Sequence, residues 1–292
     1  MRFLFIAVVV GALVPRSLTA QEHAQVFVPG VISTGHEFTV TFTPDGRDVL
    51  FTRRDVDKKV NHIFHSHYAD GAWQSATALP WSVDNASDLD PAISPDGKRL
   101  YFISTRPRPG QNEPKLVDGK PDMDIWVSER KGSEWGQPNW VKDLSLDSKE
   151  GSPTIDKHGT LCFFSSRAAD GKNRIYCAHG KGTKFSGLHM LNDKINSGAS
   201  DTSPWLSPDG KLLLFYSERP GGAGQADVYL SVMQGKYWSD PVNLGPEVNT
   251  DKFEYNPSLS RDGKTLYFGR DRAIYSIPTS SVPLLLKAIG KK

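Results

Sequence analysis

Five carboxylates stand at equivalent positions in the chain, each nine residues before a glycine: Glu37, Asp88, Glu150, Asp201 and Glu254. Eight or nine residues after the same glycines come five arginines: Arg54, Arg106, Arg167, Arg219 and Arg272. Carboxylates that face each other can act as a general acid, a general base or a nucleophile. Carboxylates beside arginine instead form strong charge-assisted hydrogen bonds. The spacing therefore predicts either a charged ligand-binding surface or a repeated structural ion pair.

A tight turn lies midway between each acid and its arginine. The turn glycines are Gly46, Gly97, Gly159, Gly210 and Gly263. Residues 88–106, DLDPAISPDGKRLYFISTR, show the pattern most clearly: a strand, a Pro-Asp-Gly turn, and a second strand ending in arginine. The glycines are 51, 62, 51 and 53 residues apart, a period typical of propellers and solenoids. In such a hairpin the acid and the arginine lie almost opposite each other.

The repeats continue with a third strand and, in the first four, a fourth strand that begins with an aromatic residue: Trp73, Trp135, Phe185 or Trp238. The fifth repeat lacks a fourth strand, but residues 25–31 precede the first repeat as a fourth strand would. We therefore predict an all-β protein with five four-stranded antiparallel blades, closed when the N-terminal strand completes the last blade. A six-bladed ring would need a further blade, which the sequence does not contain.

The repeated pattern D-x-x-P-x-x-S-P-D-G-x-x-L-Y-F, followed by S-x-R and D-I-Y, resembles the WD-like repeat of TolB-type β-propellers. This resemblance covers nearly all of residues 21–292, and it implies the architecture more strongly than an activity. Relatives of this type include binding domains, peptidase propellers and scaffolds. Two repeats depart from the pattern: Val40 replaces the proline of the first, and the third has Asp-Lys-His-Gly at its turn.

The first strand of a propeller blade is the innermost, so the five acids are expected to ring one mouth of the central channel. A functional ring would bind a polar ligand, a cation or a basic side chain of a partner. A structural ring would consist of arginine–carboxylate pairs that tie the blades together. Fivefold repetition favours the structural interpretation, because a catalytic site usually gives different roles to equivalent positions.

Positions that break the symmetry are the better guide to a site. The loop at residues 107–121 is expanded in the second repeat only, and long loops in compact domains are often functional. Trp205 occupies a position held elsewhere by Thr41, Ala92, Thr154 and Ser258. It is either a stacking platform for a ligand or a side chain that fills a void. His36, beside Glu37, places an imidazole at the expected channel mouth in one blade only.

Metal and cofactor signals are weak. His65 and His67 lie on one face of a predicted strand, at a spacing that suits zinc, but no third ligand is apparent. The sequence has no P-loop, dinucleotide fingerprint, nucleophile elbow or HExxH motif. We predict neither a metal nor a cofactor.

The two cysteines, Cys162 and Cys177, fall on neighbouring antiparallel strands of the third repeat. A disulfide between them is plausible in an oxidising compartment. Two buried free thiols are the alternative, because the strand register is not fixed by the sequence.

Residues 1–20 have the pattern of a secretory signal peptide: Arg2, an apolar run, and a small-residue exit at Ala20. We predict cleavage near Ala20 and Gln21, a single propeller domain at residues 21–292, and a periplasmic or secreted location. The chain has 35 basic and 33 acidic residues, and two of the arginines lie in the leader, so the remainder is balanced. Balanced charge argues against nucleic acid as a partner. No other long apolar run predicts a membrane span, and we expect a monomer.

Two classes of function fit these observations. The first is a non-catalytic module that binds a protein or glycan through the face carrying the acids. The second is a glycoside hydrolase, which needs two suitably separated carboxyl groups at the channel. An arginine beside every acid would lower its pKa and so argues against a general acid.

Overall fold

The computed structural model of the protein describes residues 23–290, so the predicted signal peptide lies outside the described residues. Five antiparallel sheets follow one another along the chain as the blades of a β-propeller. The first strands of neighbouring blades contact each other in circular order, and the fifth contacts the first. The predicted five-bladed propeller is therefore confirmed.

Blades 1 and 2 each end in a fourth strand split into two short pieces. Blade 1 consists of β2 (Glu37–Phe42), β3 (Asp48–Asp55), β4 (Val60–Ala69), β5 (Ala72–Trp73) and β6 (Thr77–Ala78). Blade 2 consists of β7 (Asp88–Ile93), β8 (Arg99–Ser104), β11 (Asp124–Lys131), β12 (Glu134–Trp135) and β13 (Asn139–Trp140). Between β8 and β11 a small hairpin is formed by β9 (Leu116–Val117) and β10 (Lys120–Pro121).

The remaining blades follow the same order. Blade 3 consists of β14 (Glu150–Ile155), β15 (Thr160–Ser165), β16 (Arg174–Lys181) and β17 (Lys184–Met190). Blade 4 consists of β18 (Asp201–Leu206), β19 (Leu212–Ser217), β20 (Asp227–Gln234), β21 (Tyr237–Trp238) and β22 (Val242–Asn243). Blade 5 consists of β23 (Tyr255–Leu259), β24 (Thr265–Arg270), β25 (Ala273–Pro278) and β1 (Gln25–Val26).

Strand β1 closes the ring as the sequence predicted. Gln25 pairs with Ser276 and Val26 with Tyr275, so the N-terminal segment is the fourth strand of blade 5. The backbone N–H of Phe27 extends this pairing by donating to the carbonyl of Ile274 at 2.7 Å. A short helix, α1 (Pro283–Ile289), follows the last strand and buries Leu285 against blades 4 and 5. No helix in the described part is long and apolar enough to cross a membrane.

The turn between the first two strands of each blade depends on its glycine. All five turn glycines have φ between 70° and 88°, a left-handed conformation that disfavours a side chain. In four blades a Ser or Thr hydroxyl donates to the turn aspartate, as Ser94 does to Asp96 at 2.6 Å. The repeated turn motif is therefore explained by local backbone geometry.

Apolar side chains from facing blades fill the spaces between the sheets. The largest fully buried ones include an equivalent phenylalanine from the second strand of every blade: Phe51, Phe102, Phe163, Phe215 and Phe268. Cys162 and Cys177 face each other across β15 and β16 and form a disulfide with a Cα–Cα distance of 4.1 Å. The alternative of two free thiols does not describe this structure.

Replacing both cysteines by alanine should lower the free energy of unfolding by about 3 kcal/mol, because the disulfide closes a 15-residue loop. Urea denaturation measures this change. Dithiothreitol should produce a similar loss in the wild-type chain and none in the double variant. Equal midpoints for the oxidised wild type and the double variant would contradict a stabilising disulfide.

Candidate functional site

The five predicted acids all lie at one end of the inner strands, here called the acid end, and the glycine turns lie at the opposite turn end. Each acid is completely buried and paired with an arginine. The nitrogen–oxygen distances are 2.6 Å for Arg53–Glu37, 2.7 Å for Arg106–Asp88, 2.9 Å for Arg167–Glu150, 3.2 Å for Arg219–Asp201 and 2.8 Å for Arg270–Glu254. The acids therefore do not line an open channel mouth.

The predicted pairing of arginine with acid is wrong in two blades. In blade 1 the partner of Glu37 is Arg53, and in blade 5 the partner of Glu254 is Arg270; Arg54 and Arg272 are exposed. The strand register explains the difference, because Arg53 stands directly opposite Glu37.

In blades 2 to 4 a serine occupies the position opposite the acid, and the arginine two residues later reaches back over it. Arg106, for example, donates to the hydroxyl of Ser104 at 2.9 Å and to both carboxylate oxygens of Asp88. Arg167 and Arg219 bind Ser165 and Ser217 in the same way. The same ion pair thus forms in two ways: with the arginine directly opposite the acid, or with a serine opposite it and the arginine two residues later, which is the S-x-R motif.

Each of these arginines also stacks on aromatic rings from the second and third strands. Arg219 lies 5.1 Å from the ring centre of Phe215 and 4.7 Å from that of Tyr229. Equivalent contacts occur at Arg53, Arg106, Arg167 and Arg270. Four of the five also donate to a backbone carbonyl of the connection from the preceding blade, as Arg167 does to Leu144 at 2.6 Å. These contacts hold the end of the blade against the connection from the preceding blade.

The expectation that arginine lowers the pKa of every acid is wrong for two of them. Burial raises the pKa of Asp88 despite Arg106, and it raises that of Glu150 to about 7 despite hydrogen bonds from Ser148 and Arg167. Among the residues that the structure describes, Glu150 receives all its donors on Oε1, and none contacts its buried Oε2. At Glu37 burial also favours a higher pKa. Hydrogen bonds, first among them those from Thr34, outweigh this effect and lower the pKa below its ordinary value.

A second set of equivalent residues, seven before each turn glycine, meets at the propeller axis. These residues, here called the axial ring, are Thr39, Asp90, Ser152, Ser203 and Asn256. All five have φ between 46° and 55°, in the left-handed region. Each stands in a register shift of its inner strand, and such a bulge redirects a side chain.

Hydrogen-bonding contacts join the axial ring in a closed circle. Thr39 donates to Asp90 Oδ1 at 2.6 Å, and Ser152 donates to Asp90 Oδ2 through both its hydroxyl, at 2.8 Å, and its backbone N–H, at 3.1 Å. Ser152 and Ser203 place their hydroxyl oxygens 3.3 Å apart. Ser203 contacts Asn256 Oδ1, and Asn256 Nδ2 contacts Thr39.

Below the axial ring, toward the turn end, lies an axial cavity of about 60 Å³. The half-buried Trp205 lines it and packs against the core between blades 4 and 5, so this side chain forms part of the cavity wall. Arg261 lies at the turn end of the cavity and donates to the carbonyls of Phe42 and Ile93 at 3.0 and 3.1 Å. Burial lowers the pKa of Arg261.

The long loop at residues 107–121 is held in place by a buried arginine. Arg108 donates to Asp124 at 2.7 Å and to Asp122 at 2.8 Å, and it also pairs with Asp147 and stacks on Trp140. Burial, and then the nearby Asp124 carboxylate, raises the pKa of Asp122 to about 6. These contacts anchor the expanded loop to blade 2 at the acid end.

The histidines lie apart from the axial ring. His65 and His67 both contact Asp48 Oδ1, at 2.9 and 2.7 Å, and Arg130 of blade 2 contacts Oδ2 of the same carboxylate. Within residues 23–290 no group of three His, Cys, Asp or Glu side chains is arranged to hold a metal ion. The backbone N–H of His36 donates to Glu37 Oε2 at 3.1 Å.

Sequence reasoning missed the axial ring. Its signal was a small polar residue directly before the inner-strand proline of four repeats, at Asp90, Ser152, Ser203 and Asn256. A polar residue within an apolar strand is easily interpreted as solvent-facing. The bulge that turns it toward the axis is a property of the backbone, and regular two-residue alternation does not reveal it.

No protein-family model and no curated protein sequence matches the chain. Solved structures do match it, among them TolB from Acinetobacter baumannii, with 17% identity and a TM-score of 0.49. That match covers 83% of this chain and 54% of TolB, so the chain spans about half the length of that protein.

Two further matches have slightly higher TM-scores. The gluconolactonase XC5397 from Xanthomonas campestris has 14% identity and a TM-score of 0.51, over 84% of this chain and 72% of that one. The Hadza microbial sialidase Hz136 has 10% identity and a TM-score of 0.50, over 85% of this chain and 66% of that one. At such identities the likeness shows a shared propeller fold alone.

Replacing Arg53 by methionine should lower the free energy of unfolding by about 3 kcal/mol, because it leaves the buried Glu37 carboxylate without its cation. The matched change Arg54→Met, at the exposed neighbour, should alter stability by less than about 0.5 kcal/mol. Chemical denaturation of both variants checks this contrast. Equal losses would contradict the assignment of Arg53 as the partner.

Glu150→Gln should flatten the dependence of stability on pH. The folded-state pKa of about 7 lies above the ordinary value of 4.5, so the wild type gains stability from a protonated Glu150 at low pH. That stability is lost as the pH rises through about 7, by about 1–3 kcal/mol. Denaturation between pH 5 and 8 should show this loss in the wild type and less of it in the variant. Identical pH profiles would contradict the raised pKa.

Proposed function

We propose that this chain is an extracytoplasmic propeller that binds a protein partner through the loops at its acid end. The observation that carries the proposal is a group of exposed aliphatic side chains on the acid-end loops of blades 1 and 2. Val56, Val83, Leu116 and Leu146 are each between 44% and 60% exposed. Within the described chain, the acid-end loops of blades 4 and 5 have no large hydrophobic residue exposed to this degree.

Ion pairs hold these loops in position. Lys58 joins Asp84 at 2.8 Å and thereby links the loops of Val56 and Val83. Asp147 joins Arg108 at 3.2 Å and also contacts Lys115, which links the loop of Leu146 to the hairpin of Leu116. Apolar residues within a charged rim are typical of protein interfaces, and a preformed surface reduces the entropy lost on binding.

A protein fits this surface better than a glycan does. Glycan recognition would use an exposed aromatic platform, and Trp205, the residue expected to supply one, lines the axial cavity. The glycan alternative remains an outcome of the experiment below.

The glycoside hydrolase alternative needs two carboxyl groups across a pocket. Asp90 is an acid without an arginine partner, but the other four positions of the axial ring carry three hydroxyls and an amide. The five acids of the original hypothesis are buried in ion pairs. This arrangement favours binding over hydrolysis.

The extracytoplasmic location is part of the proposal. It is supported by the signal-peptide pattern of residues 1–20 and by the disulfide between Cys162 and Cys177, since disulfides persist in oxidising compartments. Fractionation of the producing cells, with a cytoplasmic marker followed in parallel, tests the location.

A photo-crosslinking amino acid at position 116 should trap a discrete protein from the envelope fraction, and the same group at Tyr237 should not. Tyr237 is 73% exposed at the turn end and serves as the matched control. Adding Val56→Asp to the position-116 probe should reduce the crosslinked product at least tenfold at an unchanged melting temperature, because a charge would be buried at the interface.

Equal crosslinking from the two positions would contradict the assigned face. A glycan-array signal without a protein crosslink would favour the glycan alternative, and turnover of chromogenic glycosides that is lost in Asp90→Asn would favour the hydrolase.

A further inference from the structure

Within the described part of the chain, the axial ring supplies a single carboxylate to the propeller axis, that of Asp90, and no cationic side chain contacts it. Asp90 is 92% buried, and within residues 23–290 no ion pair involves it. By contrast, the five buried acids at the acid end each have an arginine partner. A buried negative charge without a counter-charge costs several kcal/mol, so such groups pair, protonate or coordinate a metal.

A count of protons shows that the ring is incomplete while Asp90 is ionised. Thr39 and Ser152 donate their hydroxyl protons to Asp90, and Ser203 donates to Asn256 Oδ1. Asn256 donates an amide proton to Thr39. No proton is then left for the Ser152–Ser203 contact, which at 3.3 Å is the longest in the circle. Two hydroxyl oxygens therefore face each other beside a negative charge.

The donor set has the chemistry that hard cations require. It offers carboxylate, hydroxyl and amide oxygens, one residue from each blade, and no sulfur or imidazole. Thr39, Ser152, Ser203 and Asn256 also border the axial cavity of about 60 Å³, which has room for water molecules that complete a coordination shell.

We propose that the axial ring binds a hard metal cation, an alkali ion or Ca²⁺, through these oxygens. The cation neutralises Asp90 and joins all five blades at the axis. The other charged or titratable groups nearby are the guanidinium of Arg261, at the turn end of the cavity, and the phenol of Tyr216, whose pKa burial raises. Arg261 is engaged by carbonyl oxygens on the far side of the cavity.

A proton competes with the metal for the same place. If Asp90 is protonated, it donates to Ser152, Ser152 donates to Ser203, and each of the five contacts has one proton.

The test uses the purified full-length chain in metal-stripped choline chloride buffer at pH 8 and constant ionic strength. Na⁺, K⁺, Ca²⁺ or Mg²⁺ is then titrated while the melting temperature is recorded, and equilibrium dialysis with elemental analysis gives the stoichiometry. We expect one ion to raise the melting temperature saturably, with one ion bound per chain. Comparison of the four titrations distinguishes an alkali ion from Ca²⁺.

Three variants make the result specific. Asp193→Asn removes an exposed acid-end carboxylate and should respond as the wild type does. Asp90→Asn should lose the response, and Ser203→Ala, which removes one oxygen without changing the charge, should bind at least fivefold more weakly.

The proposal is overturned if no ion gives a saturable effect on the wild type, or if Asp90→Asn responds as strongly as Asp193→Asn. If Asp90→Asn does not fold, the Ser203→Ala comparison decides between the same two outcomes.

Discussion

The structure depends on one interaction made five times, a buried carboxylate held by an arginine that stacks on two aromatic rings. A charge buried in an apolar crevice is unfavourable unless nearly all its hydrogen bonds are satisfied. Here the arginine meets this requirement with a carboxylate, in most blades a carbonyl from the preceding connection, and the faces of aromatic side chains. Because those groups come from three strands and a loop, the pair fixes the end of each blade against its neighbour.

Repetition made the architecture predictable. The turn glycines and strand lengths are determined by local conformation, and the sequence repeats them five times. The displaced N-terminal strand follows from the need to close the sheet edge between the last blade and the first. The arginine partners were harder to assign, because a shift of one residue in register exchanges Arg53 for the exposed Arg54. The axial ring was missed because its formation depends on bulges, and the exposed patch because exposure is a property of the assembled loops.

The candidate functions lie where the five repeats differ. Blade 2 supplies both the lone axial carboxylate and the hairpin anchored by Arg108, and blades 4 and 5 supply Trp205 and Arg261 to the channel. At the positions of Asp90 and Trp205 the other repeats hold small or neutral side chains, and at that of Arg261 they hold proline or, in the third repeat, Lys157. The repeated positions therefore maintain the scaffold, and individual substitutions within it create the chemical differences between blades.

The closing strand β1 has a consequence for how the chain acquires its structure. It pairs residues 25 and 26 with residues 275 and 276, so the last blade is complete only when both ends of the sequence are present together. Contacts so distant in sequence form slowly, because a long loop must first be closed. Until then the growing chain has an unpaired strand edge and incompletely packed blades, and it should remain incompletely folded during synthesis. Such a delay would suit the proposed export, in which the chain crosses a membrane before it folds.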